Sequence, residues 1–245
     1  MSAPRLKRLL AGVCAAGLAA GAPDAGGATG CAEDAILVFD GSGSMAEVGH
    51  DISANPRIVD ARAAVRRAMP DITPFRDVGL LIYGPGAADA CSGIDLRFPP
   101  APDAAPAVIA AVEGLEPAGL TPLAASVDRA AAVLEAGGGP GIVVLVTDGN
   151  ETCGGRPCAL GARLAAERPG LRVHVIGFKV VEDYFSWNSP EADSYDGGET
   201  VAKCLADATG GMFVSTDTVD ELTRALQVTL GCALIGAAPR RRGAG

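Results

Sequence analysis

Runs of apolar, often β-branched residues recur along the chain at Ala35–Phe39, Val78–Tyr83, Ile142–Val146 and Leu171–Phe178. Short apolar runs bounded by Gly, Pro or Asp are the pattern of strands buried on both faces. Ile94–Phe98 alternates instead and is followed by Pro99-Pro100, which predicts an edge strand. Met212–Ser215 predicts a short last strand. Segments of helical period lie between these runs. Over Pro56–Met69, Ile58, Ala61, Val65 and Met69 share one face, with Arg57, Arg62, Arg66 and Arg67 turned mostly outward. Helices are also predicted over Ala104–Leu115, Pro122–Ala136, Ala159–Glu167, Thr200–Thr209 and Val219–Leu230. Thr121 reads as an N-cap, with Pro122 at the first helical position and Gly137-Gly138-Gly139 as the stop. This alternation predicts an α/β fold: a Rossmann-like open, mainly parallel six-stranded sheet with one antiparallel edge strand and helices on both faces. His174, inside a buried strand, reads as a packed core residue.

Chemistry gathers where the first strand stops. Asp40 is followed by Gly41-Ser42-Gly43-Ser44, and a near-extended loop would aim the oxygens of Asp40, Ser42 and Ser44 the same way. One carboxylate and two hydroxyls suit a hard divalent cation. Gly41 to Ala46 also fits a loose dinucleotide fingerprint, G-x-G-x-x-A after a strand. Asp40 argues against that reading, because it would repel a pyrophosphate. Asp148 ends the Ile142–Val146 strand as Asp40 ends the first. In open α/β sheets, ligands gather at that edge where strand order reverses.

The Asp-x-Ser-x-Ser of residues 40–44 resembles the metal-ion-dependent adhesion site of von Willebrand factor A-type domains, also called integrin I-like domains. Gly119-Leu120-Thr121-Pro122-Leu123 resembles that family's threonine loop. Ile142 to Gly149 resembles its strand ending in Thr-Asp-Gly. The likeness runs from about Cys31 to about Cys232. It implies a metal site of Asp40, Ser42, Ser44, Thr121 and Asp148, holding Mg²⁺ or Mn²⁺ more readily than Ca²⁺. It further implies that the cation binds a Glu or Asp carboxylate of a partner protein, in a chain that is not an enzyme.

Arg5, Lys7 and Arg8 precede an apolar stretch, Leu9–Ala22, too short to span a bilayer as a mature helix. That pattern predicts a signal peptide over residues 1–22, with cleavage anywhere from 22 to 28, and a flexible linker over 23–30. One domain follows over 31–232, then a disordered basic tail over 233–245. The chain has 20 basic and 29 acidic residues, and without Arg5, Lys7 and Arg8 the net charge falls from −9 to −12. An acidic chain with no basic stripe is a poor partner for nucleic acid or an anionic membrane. The expected state is a monomer in a bacterial periplasm or secreted.

Six cysteines remain beyond Cys14. An even count in an exported chain predicts disulfides, and six allow fifteen pairings. Topology favours Cys31–Cys232 (the two domain ends), Cys153–Cys158 (a small loop after Asp148) and Cys91–Cys204. The last requires that the loops after the second and fifth strands meet. Residues 182–199 form a long connection carrying Tyr184, Phe185, Trp187 and Tyr195 in an aromatic-poor chain. These rings are candidate partner contacts, or they pack down to fasten the loop. Two other classes compete: a structural or envelope-assembly scaffold whose metal only holds loops together, and a metal hydrolase with His50 as its one nearby base.

Overall fold

The computed structural model describes residues 33–48, 54–85, 91–149, 151–180 and 202–232. The strands are β1 (Ala35–Asp40), β2 (Val78–Tyr83), β3 (Ile94–Ala101), β4 (Ile142–Thr147), β5 (Arg172–Phe178) and β6 (Phe213–Thr216). The helices are α1 (Arg57–Ile72), α2 (Ala105–Glu113), α3 (Leu123–Ala136), α4 (Pro157–Glu167), α5 (Lys203–Thr209) and α6 (Val219–Thr229). One sheet of six strands runs in the order β3-β2-β1-β4-β5-β6. Every pairing is parallel except β2 with β3, so the antiparallel strand is the edge strand expected. It runs on through Pro99 and Pro100 to Ala101 instead of stopping at Phe98, because an edge strand tolerates residues with no N–H to donate.

Strand alternation divides the core in two. Leu37, Phe39, Ile82, Val144 and Val146 face α1, α2 and α6. Ile36, Val38, Leu81, Val143 and Leu145 face α3, α4 and α5. Every residue of β1, β2 and β4 is buried, as continuous apolar runs require when helices cover both faces. The chain leaves β1 towards β2 and β3, then returns to lay β4 on the other side of β1. Strand order therefore reverses between β1 and β4, which opens a crevice at their carboxyl ends. Asp40 and Asp148 stand there. Among the described residues, no helix is long and apolar enough to cross a membrane.

Several expectations need correction. α1 continues past Met69 to Ile72 and carries Pro70, which has no N–H to donate, within its last turn. Arg57 is buried, and Arg62 donates to the carbonyls of Val112 and Leu115, so only Arg66 and Arg67 form a solvated face. The disulfides also differ. Cys91 joins Cys153, with Cα atoms 5.6 Å apart, and Cys158 joins Cys204 at 4.8 Å. The expected Cys91–Cys204 pair fails because β1 and β4 separate β2 from β5. Cys153–Cys158 fails because Cys158 sits in the first turn of α4, which packs on α5 beside Cys204. Cys232 is disulfide-bonded, and its expected partner Cys31 lies outside the described residues.

His174 is packed, as its place in β5 implies. Its Nδ1 accepts the Met212 N–H at 2.9 Å. Burial, then the charges of Arg172 and Arg76, lower its pKa to about 4. A histidine held neutral in the fold but titrating normally when unfolded contributes stability above about pH 6.5 that is lost as pH falls towards 4. The wild type is expected to lose melting temperature over that window more steeply than His174→Asn, which keeps an acceptor without the titration. Parallel profiles for the two proteins would contradict this role.

Candidate metal centre

Asp40 ends the central strand β1 opposite Tyr83 of β2 and is fully buried. One oxygen, Oδ1, accepts the Ser42 N–H at 2.8 Å. The other, Oδ2, accepts the Tyr83 hydroxyl and the Thr147 hydroxyl, both at 2.8 Å. A carboxylate oxygen offers about two acceptor sites, so Oδ2 is full and Oδ1 keeps one. Burial and the charge of Asp40 push the Tyr83 hydroxyl well above its ordinary pKa, which keeps it a donor.

The loop does not stay extended past Ser42. Gly43–Ala46 forms one turn of 3₁₀ helix, and that turn brings the two hydroxyls together. Ser44 Oγ donates to Asp148 Oδ1 at 2.7 Å, and Ser42 Oγ lies 3.0 Å from Ser44 Oγ. With the Ser44 proton committed to Asp148, Ser42 is the donor in that second bond. The structure thus joins Ser42, Ser44 and Asp148 in one chain of hydrogen bonds that starts beside Asp40.

Asp148 is the member short of partners. Its side chain is 1% exposed, and among the described residues its Oδ2 has no hydrogen-bond partner. Among the described residues, the nearest cation, Arg57 Nε, is 3.5 Å from that oxygen. Burial first, and then the charge of Asp40, raise the Asp148 pKa to about 7, against the opposing pull of Ser44 and Arg57. A buried carboxylate with an orphaned oxygen, close enough to a second carboxylate to feel its charge and bonded to a pair of hydroxyls, fits a divalent cation of oxygen preference. Among the described residues, no three His, Cys, Asp or Glu side chains form a metal cluster.

Thr121 lies in the neighbouring loop. Its N–H donates to Thr152 Oγ1 at 2.8 Å, and its carbonyl accepts the Thr152 N–H at 3.1 Å. It is not the N-cap of α3. The helix begins at Leu123 with Pro122 in the cap position, and the Ala124 N–H donates to Glu151 Oε2 at 2.8 Å. Glu151 also accepts the Cys153 N–H at 2.7 Å, so a buried carboxylate from the Asp148 loop takes over the capping task. Among the described residues, the Thr121 hydroxyl makes no hydrogen bond.

Backbone contacts fasten these loops. Gly41 N–H donates to the Tyr83 carbonyl at 2.8 Å, Gly43 N–H to that of Gly119 at 3.1 Å, and Ala118 N–H to that of Gly41 at 2.9 Å. Gly84 and Gly119 make the approach geometrically feasible. Both have positive φ, +105° and +79°. A Cβ on Gly84 would lie 2.4 Å from Ser42 N, and one on Gly119 would lie 1.8 Å from the Gly84 carbonyl oxygen. Only a residue without Cβ fits either place.

Of the residues singled out in the sequence, Asp40, Ser42, Ser44 and Asp148 come together directly, and Thr121 stands in the adjoining loop. Tyr184, Phe185, Trp187, Tyr195 and His50 lie outside the described residues. Sequence reasoning missed Tyr83, Thr147, Glu151, Thr152 and Arg57. Arg57 carried a usable signal: it lies four residues before Ala61 and eight before Val65, which places it on the buried face of α1. The register that sets Tyr83 against Asp40 had none.

No protein-family model matches the chain. It is 28% identical over 200 residues to the uncharacterized protein YwmD of Bacillus subtilis, covering 77% of this chain and 81% of that one. Solved structures with similar folds include the pilus adhesin SpaC of Lactobacillus rhamnosus GG, with a TM-score of 0.59 and 16% identity over 81% of this chain. A von Willebrand factor type A protein from Catenulispora acidiphila gives a TM-score of 0.54 at 15% identity over 81% of this chain. Proximal thread matrix protein 1 of the mussel byssus, with a zinc-occupied MIDAS motif, gives 0.53 at 17% over 81%. The chain spans 30%, 42% and 47% of those structures. It has the von Willebrand factor A-type fold.

Proposed function

We propose that this chain is an exported protein-binding module that holds one divalent cation with Asp40, Ser42, Ser44, Thr121 and Asp148, and through it binds an Asp or Glu carboxylate of a partner protein. The observation that carries this reading is the orphaned Oδ2 of Asp148, buried in a crevice with two hydroxyls and a second carboxylate. Mg²⁺ or Mn²⁺ suits such donors, and structural neighbours of this fold include one with zinc and one with manganese. When bound, the cation supplies an electrophilic position for one more oxygen ligand. The chain's own residues do the rest. Ser42 and Ser44 contribute oxygens without charge, Asp148 contributes the nearest carboxylate, and Asp40 stays anchored to Tyr83 and Thr147 so that the loop keeps its shape.

The same reading gives the domain organisation and the setting. Residues 1–22 are a signal peptide, 23–30 a linker, 31–232 the binding domain and 233–245 a basic tail. The Cys91–Cys153 and Cys158–Cys204 bonds suit an oxidising compartment, a bacterial periplasm or the outside of the cell. The chain is monomeric alone, does not bind nucleic acid and performs no catalysis. Ser42 and Ser44 are occupied with each other and with Asp148, and His174 is spent on Met212, while His50 lies outside the described residues.

Panning a displayed peptide library on the immobilised, oxidised protein in Mg²⁺, with elution by chelator, tests the partner chemistry. Peptides containing Asp or Glu are expected, with binding lost when that residue becomes Asn or Gln. Enrichment of non-acidic peptides indifferent to chelator would overturn the carboxylate reading and leave the metal as a brace for the loops.

A further inference from the structure

Arg57 is the largest feature of the site that the metal reading leaves unused. It opens α1 and is 3% exposed, among the most buried charged side chains described. Its Nη1 donates to the Ser44 carbonyl at 3.0 Å and its Nε to the Lys179 carbonyl at 3.4 Å. Nε is also 3.5 Å from Asp148 Oδ2, and Nη1 is 3.7 Å from the exposed carboxylate of Glu47. Its own N–H donates to the Glu47 carbonyl at 3.0 Å. One guanidinium thus holds the loop of Ser44, the end of β5 and the carboxylate at the end of β4.

We infer that Arg57 is a resident counter-cation of the site, which holds Asp148 in place without metal and opposes the entry of a divalent ion. This rests on the metal reading of the previous section. The charges support it. Asp40 and Asp148 carry two negative charges, which a divalent cation alone would balance. The buried guanidinium adds a third positive charge, and its remaining partner, Glu47, is exposed to solvent. The buried part of the filled site therefore carries more positive than negative charge and draws an anionic ligand. Before the metal arrives, the same guanidinium is the one cation against Asp148 among the described residues, and it offsets the repulsion from Asp40. Arg57 therefore lowers affinity for the metal and raises the demand of the filled site for a carboxylate. It is a positioning and selectivity residue.

The test is a thermodynamic cycle between Arg57 and the metal, run on the oxidised protein with Mg²⁺ alone as probe. Arg57→Gln keeps a donor and removes the charge, whereas Arg57→Lys keeps the charge and loses the planar fork. In chelator, Arg57→Gln is expected to melt below the wild type. In saturating Mg²⁺ the gap narrows, because the variant binds Mg²⁺ roughly tenfold more tightly. Arg57→Lys is expected to bind Mg²⁺ within about threefold of the wild type, the spread of a charge kept in place. A merely structural arginine would lower both melting temperatures by equal amounts, and that result overturns the inference. So does weaker Mg²⁺ binding by a folded Arg57→Gln. Absence of Mg²⁺ binding by the wild type would instead overturn the metal reading itself, and the two failures are thereby told apart.

Discussion

Asp148→Asn is expected to weaken Mg²⁺ binding roughly a hundredfold, about 3 kcal/mol, while leaving the metal-free protein at least as stable as the wild type. The two halves have one cause. Asp148 is a buried carboxylate with an unpartnered oxygen, raised towards neutrality by burial and by Asp40. Its charge costs the fold something, and a divalent cation recovers that cost. Asn keeps an acceptor for the Ser44 hydroxyl, and Arg57 keeps the Ser44 and Lys179 carbonyls. Calorimetric titration and thermal melts in chelator at pH 8 read the two effects separately. A variant that loses stability in chelator by several degrees would show that Asp148 serves the fold, not a ligand.

Removing the Cys91–Cys153 bond, by Cys91→Ser with Cys153→Ser, is expected to cost about 4 kcal/mol, because it closes a chain segment of 62 residues. In a domain near 200 residues this corresponds to a fall of roughly 10 °C in melting temperature. It should also weaken Mg²⁺ binding several-fold. Cys153 adjoins Thr152, which holds both main-chain groups of Thr121, and its N–H bonds Glu151, which caps α3. The control is the double serine variant at Cys158 and Cys204. That bond closes 46 residues and ties α4 to α5. It should lower the melting temperature by a similar amount and leave metal affinity unchanged. Equal loss of affinity in both variants would show a general softening of the fold.

What was legible in the sequence was whatever a local pattern can carry. β1 and β4 announced themselves as apolar runs, β1 ending in Asp40 and β4 followed directly by Asp148. β3 announced itself by alternation and its prolines. The pairings that needed sheet order were not legible. Cys91 meets Cys153 because β2 lies beside β1 and β1 beside β4, an arrangement that no single segment encodes. Tyr83 bonds Asp40 because of parallel register, and Glu151 caps α3 from 27 residues away. Thr121 shows how a local rule can mislead. The Thr-Pro signature of a helix start is intact, yet a carboxylate from another loop serves the helix.

Calorimetric titration of Mg²⁺ and Mn²⁺ into the oxidised protein decides whether Asp40, Ser42, Ser44, Thr121 and Asp148 form one divalent-cation site. The expected result is a single site whose affinity falls in Asp148→Asn and in Thr121→Ala, with both variants folded. An absence of binding, or binding that survives both substitutions, would contradict the account.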